Sequence, residues 1–114
     1  MNQPDQANDV TVGQAAPLAD AGQVLLLDVR EAYEWDGGHA AGAVHMPLGE
    51  LDPARVPRDR PVIAVCRSGH RSGQATQVLL AAGVDVRNLA GGMNAWAQAG
   101  LPVVRADGAA GEVL

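Results

Sequence analysis

The chain has no lysine and no phenylalanine, a single cysteine, and only 3% aromatic residues. Each shortage excludes something. With so few rings, any core must be aliphatic, built from Val, Leu, Ala and a few Met. One cysteine rules out a disulfide within the chain and fits a reducing compartment. Every basic side chain is Arg or His, and the net charge of −5 argues against a general binder of nucleic acid or of anionic membranes. No apolar run approaches the roughly 18 residues of a membrane span. The N-terminus is polar and acidic, without the basic start and apolar stretch of a signal peptide, so a cytoplasmic location is expected. No internal repeat is visible. What remains is 114 residues, 47% hydrophobic, with an ordinary charged fraction. That suits one small folded domain.

The most informative stretch runs from Val62 to Ser72, Val-Ile-Ala-Val-Cys-Arg-Ser-Gly-His-Arg-Ser. Four apolar residues lead straight into Cys66. Polar and charged residues follow, and then a helical spacing begins with Ala75, Val78, Leu79 and Ala82. The pattern reads as strand, tight loop and helix, with a thiol at the strand's C-terminal end, where open α/β sheets bind ligands. A helix starting near Ser72 would aim its free N–H groups and positive dipole end at the loop. Successive N–H groups in such a curl form an anion-binding concavity, and Gly69 permits the positive φ the curl needs. Arg67 and Arg71 add permanent positive charge. A cysteine so placed is expected to ionise below the free-thiol value and to act as a nucleophile. The competing reading is a buried structural cysteine followed by a solvated basic loop.

The segment Cys66-Arg67-Ser68-Gly69-His70-Arg71-Ser72 resembles the active-site loop of the rhodanese family. Asp28-Val29-Arg30 with Glu34, Gly38-His39, Gly42-Ala43 and Pro47 resembles that family's first signature, and Leu89 to Trp96 resembles its last. The three motifs occur in the family's order and span about residues 9 to 104. The resemblance implies a sulfurtransferase. Cys66 would take sulfane sulfur from thiosulfate or a persulfide donor, hold it as a persulfide, and pass it to a thiol, cyanide or a partner protein. It further implies that Arg67, Ser68, Gly69, His70, Arg71 and Ser72 line the substrate site, and that no cofactor is needed. Arg71 has two open roles, attracting the donor anion or bracing the loop carbonyls.

The rest of the chain alternates strand and helix signals, which implies a small open parallel sheet of about five strands with helices on both faces. Residues 1–8 are expected to be a flexible tail, 9–104 the domain, and 105–114 a second flexible tail. Strands are expected at Val10–Val12, Val24–Leu27, Ala43–Met46, Val62–Val65 and Val86–Leu89. The first helix is expected from about Ala16, because Pro17 suits only a first turn. A short helix is read over Glu31–Trp35, a helical turn over Leu48–Ala54, and a final helix after Gly91-Gly92 with Met93, Trp96 and Ala97 facing inward.

Asp28 and Arg30 fall at the end of the second strand, on the same rim as Cys66. Arg30 is read as a brace, paired with Asp28 or Glu34, over the alternative that it points into the anion site. A metal held by His39, His45 and Cys66 is disfavoured, because the spacing is not that of a zinc motif and the arginines would repel a cation. His39 is expected to bond within the Gly-rich turn and His45 to lie on a strand rim. Two other functions stay open: a phosphatase or arsenate reductase on the same fold, and a sulfur-carrier or partner-binding module.

Overall fold

The structure is a computed structural model that describes residues 9–114. The expected tail over residues 1–8 lies outside the described residues. Five parallel strands form one sheet: β1 (Asp9–Val10), β2 (Leu25–Asp28), β3 (Val44–His45), β4 (Val62–Val65) and β5 (Val86–Leu89), in the order β1-β5-β4-β2-β3. Among the described residues there are four α-helices: α1 (Val12–Asp20), α2 (Ala32–Gly37) and α3 (His70–Ala81) lie between strands, and α4 (Gly92–Gln98) follows β5. The turn expected over Leu48–Ala54 is two short 3-10 turns, Leu48–Glu50 and Pro53–Arg55.

The central strands β2 and β4 are buried at every position. Their alternation sends side chains to two separate cores. Leu25, Leu27, Val62, Ala64 and Cys66 pack on the face covered by Ala75 and Leu79 of α3. Leu26, Ile63 and Val65 pack on the opposite face, against Ala15 of α1 and Met93 and Trp96 of α4. Helices therefore cover both faces. The parity of β4 alone decides that the Cys66 side chain lies under α3. The chain leaves β2 toward β3 and leaves β4 toward β5, in opposite directions across the sheet, so the two carboxyl ends flank a topological switch point.

Several local expectations are corrected. The first strand stops at Val10, because Thr11 caps α1 instead of extending the strand. The Thr11 hydroxyl accepts from the Gln14 N–H (3.1 Å), and the Gln14 side-chain oxygen accepts from the Thr11 N–H (2.9 Å). This capping box starts the helix four residues before Ala16 and carries it past Pro17, which sits inside the helix. α3 begins at His70, two residues earlier than Ser72, with Gly69 at its N-cap. Its inward face is Ser72, Ala75, Thr76 and Leu79, while Val78 and Ala82 are exposed. Ala97 is also exposed; Met93 and Trp96 are the buried side chains of α4, the indole N–H donating to the Pro102 carbonyl (2.9 Å).

The segment 105–114 is not a loose tail. Arg105 N–H donates to Ala109 O, Gly111 N–H to Val103 O, and Glu112 N–H to Gly37 O, each within 2.9 Å. Val113 joins the α1/α4 core, and the segment closes over Gly37 and Gly38 at the end of α2.

Candidate active site

Cys66 follows β4 at the middle of the sheet and is 1% exposed. Beyond it the backbone curls: Gly69 adopts φ 103°, a left-handed value that favours glycine. That turn aims the Gly69 N–H at Sγ from 3.0 Å, while the Ser72 hydroxyl reaches Sγ at 3.3 Å from the first turn of α3. The loop's carbonyls are held on the other side. Met93 N–H donates to Cys66 O (2.8 Å) and Asn94 N–H to Arg67 O (2.9 Å), both from the start of α4. With carbonyls tied outward, the loop presents donors inward. Gly92 makes this packing possible, since a Cβ there would lie 2.7 Å from the Arg67 backbone.

Burial is the largest single influence on the Cys66 thiol and pushes its pKa up. Hydrogen bonds from the Ser72 hydroxyl and from the N–H groups of Ser72, Gly69 and Ser68 outweigh it, leaving the thiol below its ordinary value. The thiolate is thus favoured by hydrogen-bond donors of the loop and the first turn of α3.

The arginines occupy other roles. Arg71 does not bond loop carbonyls. Its two terminal nitrogens grip the two carboxylate oxygens of Glu34 on α2, at 2.7 and 2.9 Å. Those bonds first, then burial acting against them, leave the Glu34 carboxyl below its usual value. Arg30 is buried. It makes a two-pronged pair with Asp28, with Nη2 to Oδ2 at 2.8 Å, and donates to Gly38 O at 2.8 Å. This is the bracing arrangement, with Asp28 as partner and Glu34 left to Arg71. Arg67, Ser68 and His70 are exposed around the loop.

His39 and His45 are engaged elsewhere. Both stack on the Trp35 ring, at centroid distances of 3.6 and 4.8 Å. His39 Nδ1 bonds Trp35 O (2.9 Å), and His45 Nε2 bonds Arg30 O (2.8 Å). Among the described residues, no three His, Cys, Asp or Glu side chains come together as a metal site.

Two contributors were missed from sequence. Glu34 was read as a possible partner of Arg30, and nothing local linked it to Arg71, 37 positions away. Asn88 on β5 was passed over. It is buried and accepts from the Ser72 hydroxyl at 2.5 Å. The available signal was the strand alternation: with Arg87 facing solvent, Asn88 falls on the buried side with Val86, and a buried amide must find partners.

Comparison with known proteins places this geometry. The rhodanese-like domain family model matches residues 11–99. A sulfurtransferase of Allochromatium vinosum is 44% identical over 95 residues, covering 80% of this chain and 88% of that protein. An uncharacterised Synechocystis protein is also 44% identical, over 85 residues, but the chain spans only about half of it (48%). Among solved structures, a rhodanese-related protein from Thermoplasma volcanium superposes with a TM-score of 0.80 at 27% identity, covering 85% of this chain and 97% of that one.

Proposed function

Since the chain belongs to the rhodanese-like domain family, we propose that it is a sulfurtransferase that carries sulfane sulfur on Cys66. The observation that carries this reading is the sulfur itself. It is a nearly buried thiol with a lowered pKa, facing the Gly69 N–H and the Ser72 hydroxyl. The thiolate attacks the outer sulfur of a donor such as thiosulfate. The donor's S–S bond breaks, sulfite leaves with the electron pair, and Cys66 becomes a persulfide. A thiol, cyanide or a sulfur-accepting protein then takes the outer sulfur and returns the thiolate. Two easy displacements replace one difficult one. Loop N–H groups from Ser68 and Gly69 offer donors beside the added sulfur, and Arg67 at the mouth attracts the anionic donor. Arg71 and Glu34 hold the start of α3 against α2, and Asp28 and Arg30 brace the neighbouring strand end. The chemistry needs no cofactor, and the reactive thiol suits a reducing, cytoplasmic setting. No helix among the described residues is long and apolar enough to cross a membrane.

Arg71 also argues against the phosphatase and arsenate reductase alternative. That chemistry needs a guanidinium free to clasp a tetrahedral oxyanion. Here both ends of the fork are taken by Glu34.

The test is intact-mass measurement. Incubation with thiosulfate should add one sulfur, cyanide should remove it, and Cys66→Ser should show neither change. Aryl phosphate hydrolysis should be negligible. A folded wild-type protein that gains no sulfur would show the assignment to be wrong.

A further inference from the structure

The Ser72 hydroxyl has one proton and two acceptors within reach. Asn88 Oδ1 lies at 2.5 Å and Cys66 Sγ at 3.3 Å. The amide orientation is fixed. Asn88 Nδ2 donates to Gly69 O and to Asp9 Oδ1, both at 3.2 Å, so only Oδ1 can face Ser72. A continuous line of polar contacts therefore runs from Asp9 on β1 through Asn88 on β5 and Ser72 on α3 to the sulfur after β4. Its far end borders a polar cleft of about 290 Å³ lined by Asp9, His70, Gln74 and Asn88.

We propose that Asn88 is a positioning residue that competes with Cys66 for the Ser72 proton, so that the hydroxyl turns to the sulfur only while the sulfur is negatively charged. A hydroxyl donates once. While Sγ is a thiol or bears an outer sulfur, it needs no donor, and the short bond to Asn88 holds the hydroxyl. When an acceptor thiolate takes the outer sulfur as SH, the bond between the two sulfurs breaks and its electron pair stays on Sγ. Charge then appears on Sγ, and the hydroxyl rotates toward it. The buried Asn88 oxygen loses its partner in that state, which weakens the thiolate relative to the neutral forms. Asn88 thereby limits how far the resting thiol is ionised and leaves the thiolate more nucleophilic. The consequence for turnover rests on the sulfur-transfer reading, but the hydrogen-bond competition does not.

The test reads the thiol alone, so its failure is separate from failure of the sulfur-transfer reading. The rate of Cys66 alkylation by iodoacetamide is followed against pH in wild type, Asn88→Leu, Ser72→Ala and the double variant. The titratable and charged groups around the sulfur are Arg67 on the loop, His70 and Arg71 at the start of α3, Glu34 on α2, Asp28 at the end of β2, Arg30 after it, and Asp9 on β1 behind Asn88. All of these remain in every variant. Ser72→Ala should raise the titration point. Asn88→Leu should lower it by roughly half a unit to one unit, the worth of one hydrogen bond. The double variant should match Ser72→Ala alone. Loss of the Gly69 O contact would instead mis-aim the N–H donors, raise the titration point, and persist without the hydroxyl. A rise, no change, or an equal shift in the Ser72→Ala background therefore overturns the proposal. Should Asn88→Leu not fold, Asn88→Asp keeps the acceptor and adds charge. It should raise the titration point, and by less when Ser72 is Ala; an equal rise in both backgrounds overturns the proposal too.

Discussion

At the scale of single residues, the site depends on which group each donor faces. Cys66 alkylation should rise with pH to a plateau, with its midpoint below the free-cysteine value of about 8.5, because only the thiolate reacts. A midpoint at or above that value would contradict the loop dipoles as its cause. The Arg71–Glu34 pair gives a second pH dependence, of stability. Glu34 has a lowered pKa in the folded state, so its contribution is complete above the unfolded glutamate value of about 4.3 and is lost as pH falls through the folded value. Glu34→Gln should destabilise the fold at neutral pH by about 1.5–3 kcal/mol, the range for charged hydrogen bonds, and should flatten the acid limb of the stability curve. Urea unfolding at neutral and acid pH measures both. The strand-end position of Cys66, the positive φ of Gly69 and the Arg30–Asp28 pair were legible in the sequence, because each depends on neighbouring residues. Glu34 and Asn88 were not assigned their roles, because each acts on a residue that only the fold brings near.

At the scale of elements, the loop is shaped from both ends. β4 delivers the sulfur, α3 supplies donors, and the start of α4 holds the carbonyls back. Gly92→Ala tests the last of these. The new Cβ would meet the backbone of Cys66 and Arg67, and the position has φ 56°. A cost of about 1–3 kcal/mol is expected from strain alone. Alkylation of Cys66 should also slow at fixed pH as the loop is pushed out of shape. If thermal stability and thiol reactivity both match wild type, α4 does not shape the loop. The strands were readable because β2 and β4 are continuous apolar runs, the mark of burial on both faces. The helix starts were less so. Proline placement suggested a late α1, but the Thr11–Gln14 capping box outweighed it. On α3, Val78 looked like core, while Ser72 and Thr76 take the inward face because Asn88 and the helix carbonyl of Ser72 satisfy their hydroxyls.

At the scale of the whole molecule, alternating strands and helices predicted the parallel sheet and its two covered faces. Strand order and the course of the last ten residues are not encoded in that alternation. Residues 105–114 carry no periodicity, yet their backbone pairs with Val103, Gly37 and their own turn, and Val113 adds to the core. The segment closes over the end of the helix that holds Glu34. Deleting residues 105–114 should therefore lower the melting temperature by roughly 4–8 °C for each kcal/mol lost. It should also reduce Cys66 reactivity through α2. A melting curve unchanged by the deletion would show that the segment contributes nothing to the fold.

The donors aimed at the sulfur have a consequence for how such a site tolerates change. Backbone N–H groups supply much of the anion's environment, and a side-chain substitution other than proline deletes none of them. The N–H groups of Ser68 and Gly69 face the sulfur, while the side chains of Arg67, Ser68 and His70 face solvent. The loop thus writes two messages on different atoms, one on backbone N–H groups read by the sulfur and one on side chains read by whatever approaches the mouth. The second can be rewritten without editing the first, so the choice of donor and acceptor can drift while the chemistry stays in place.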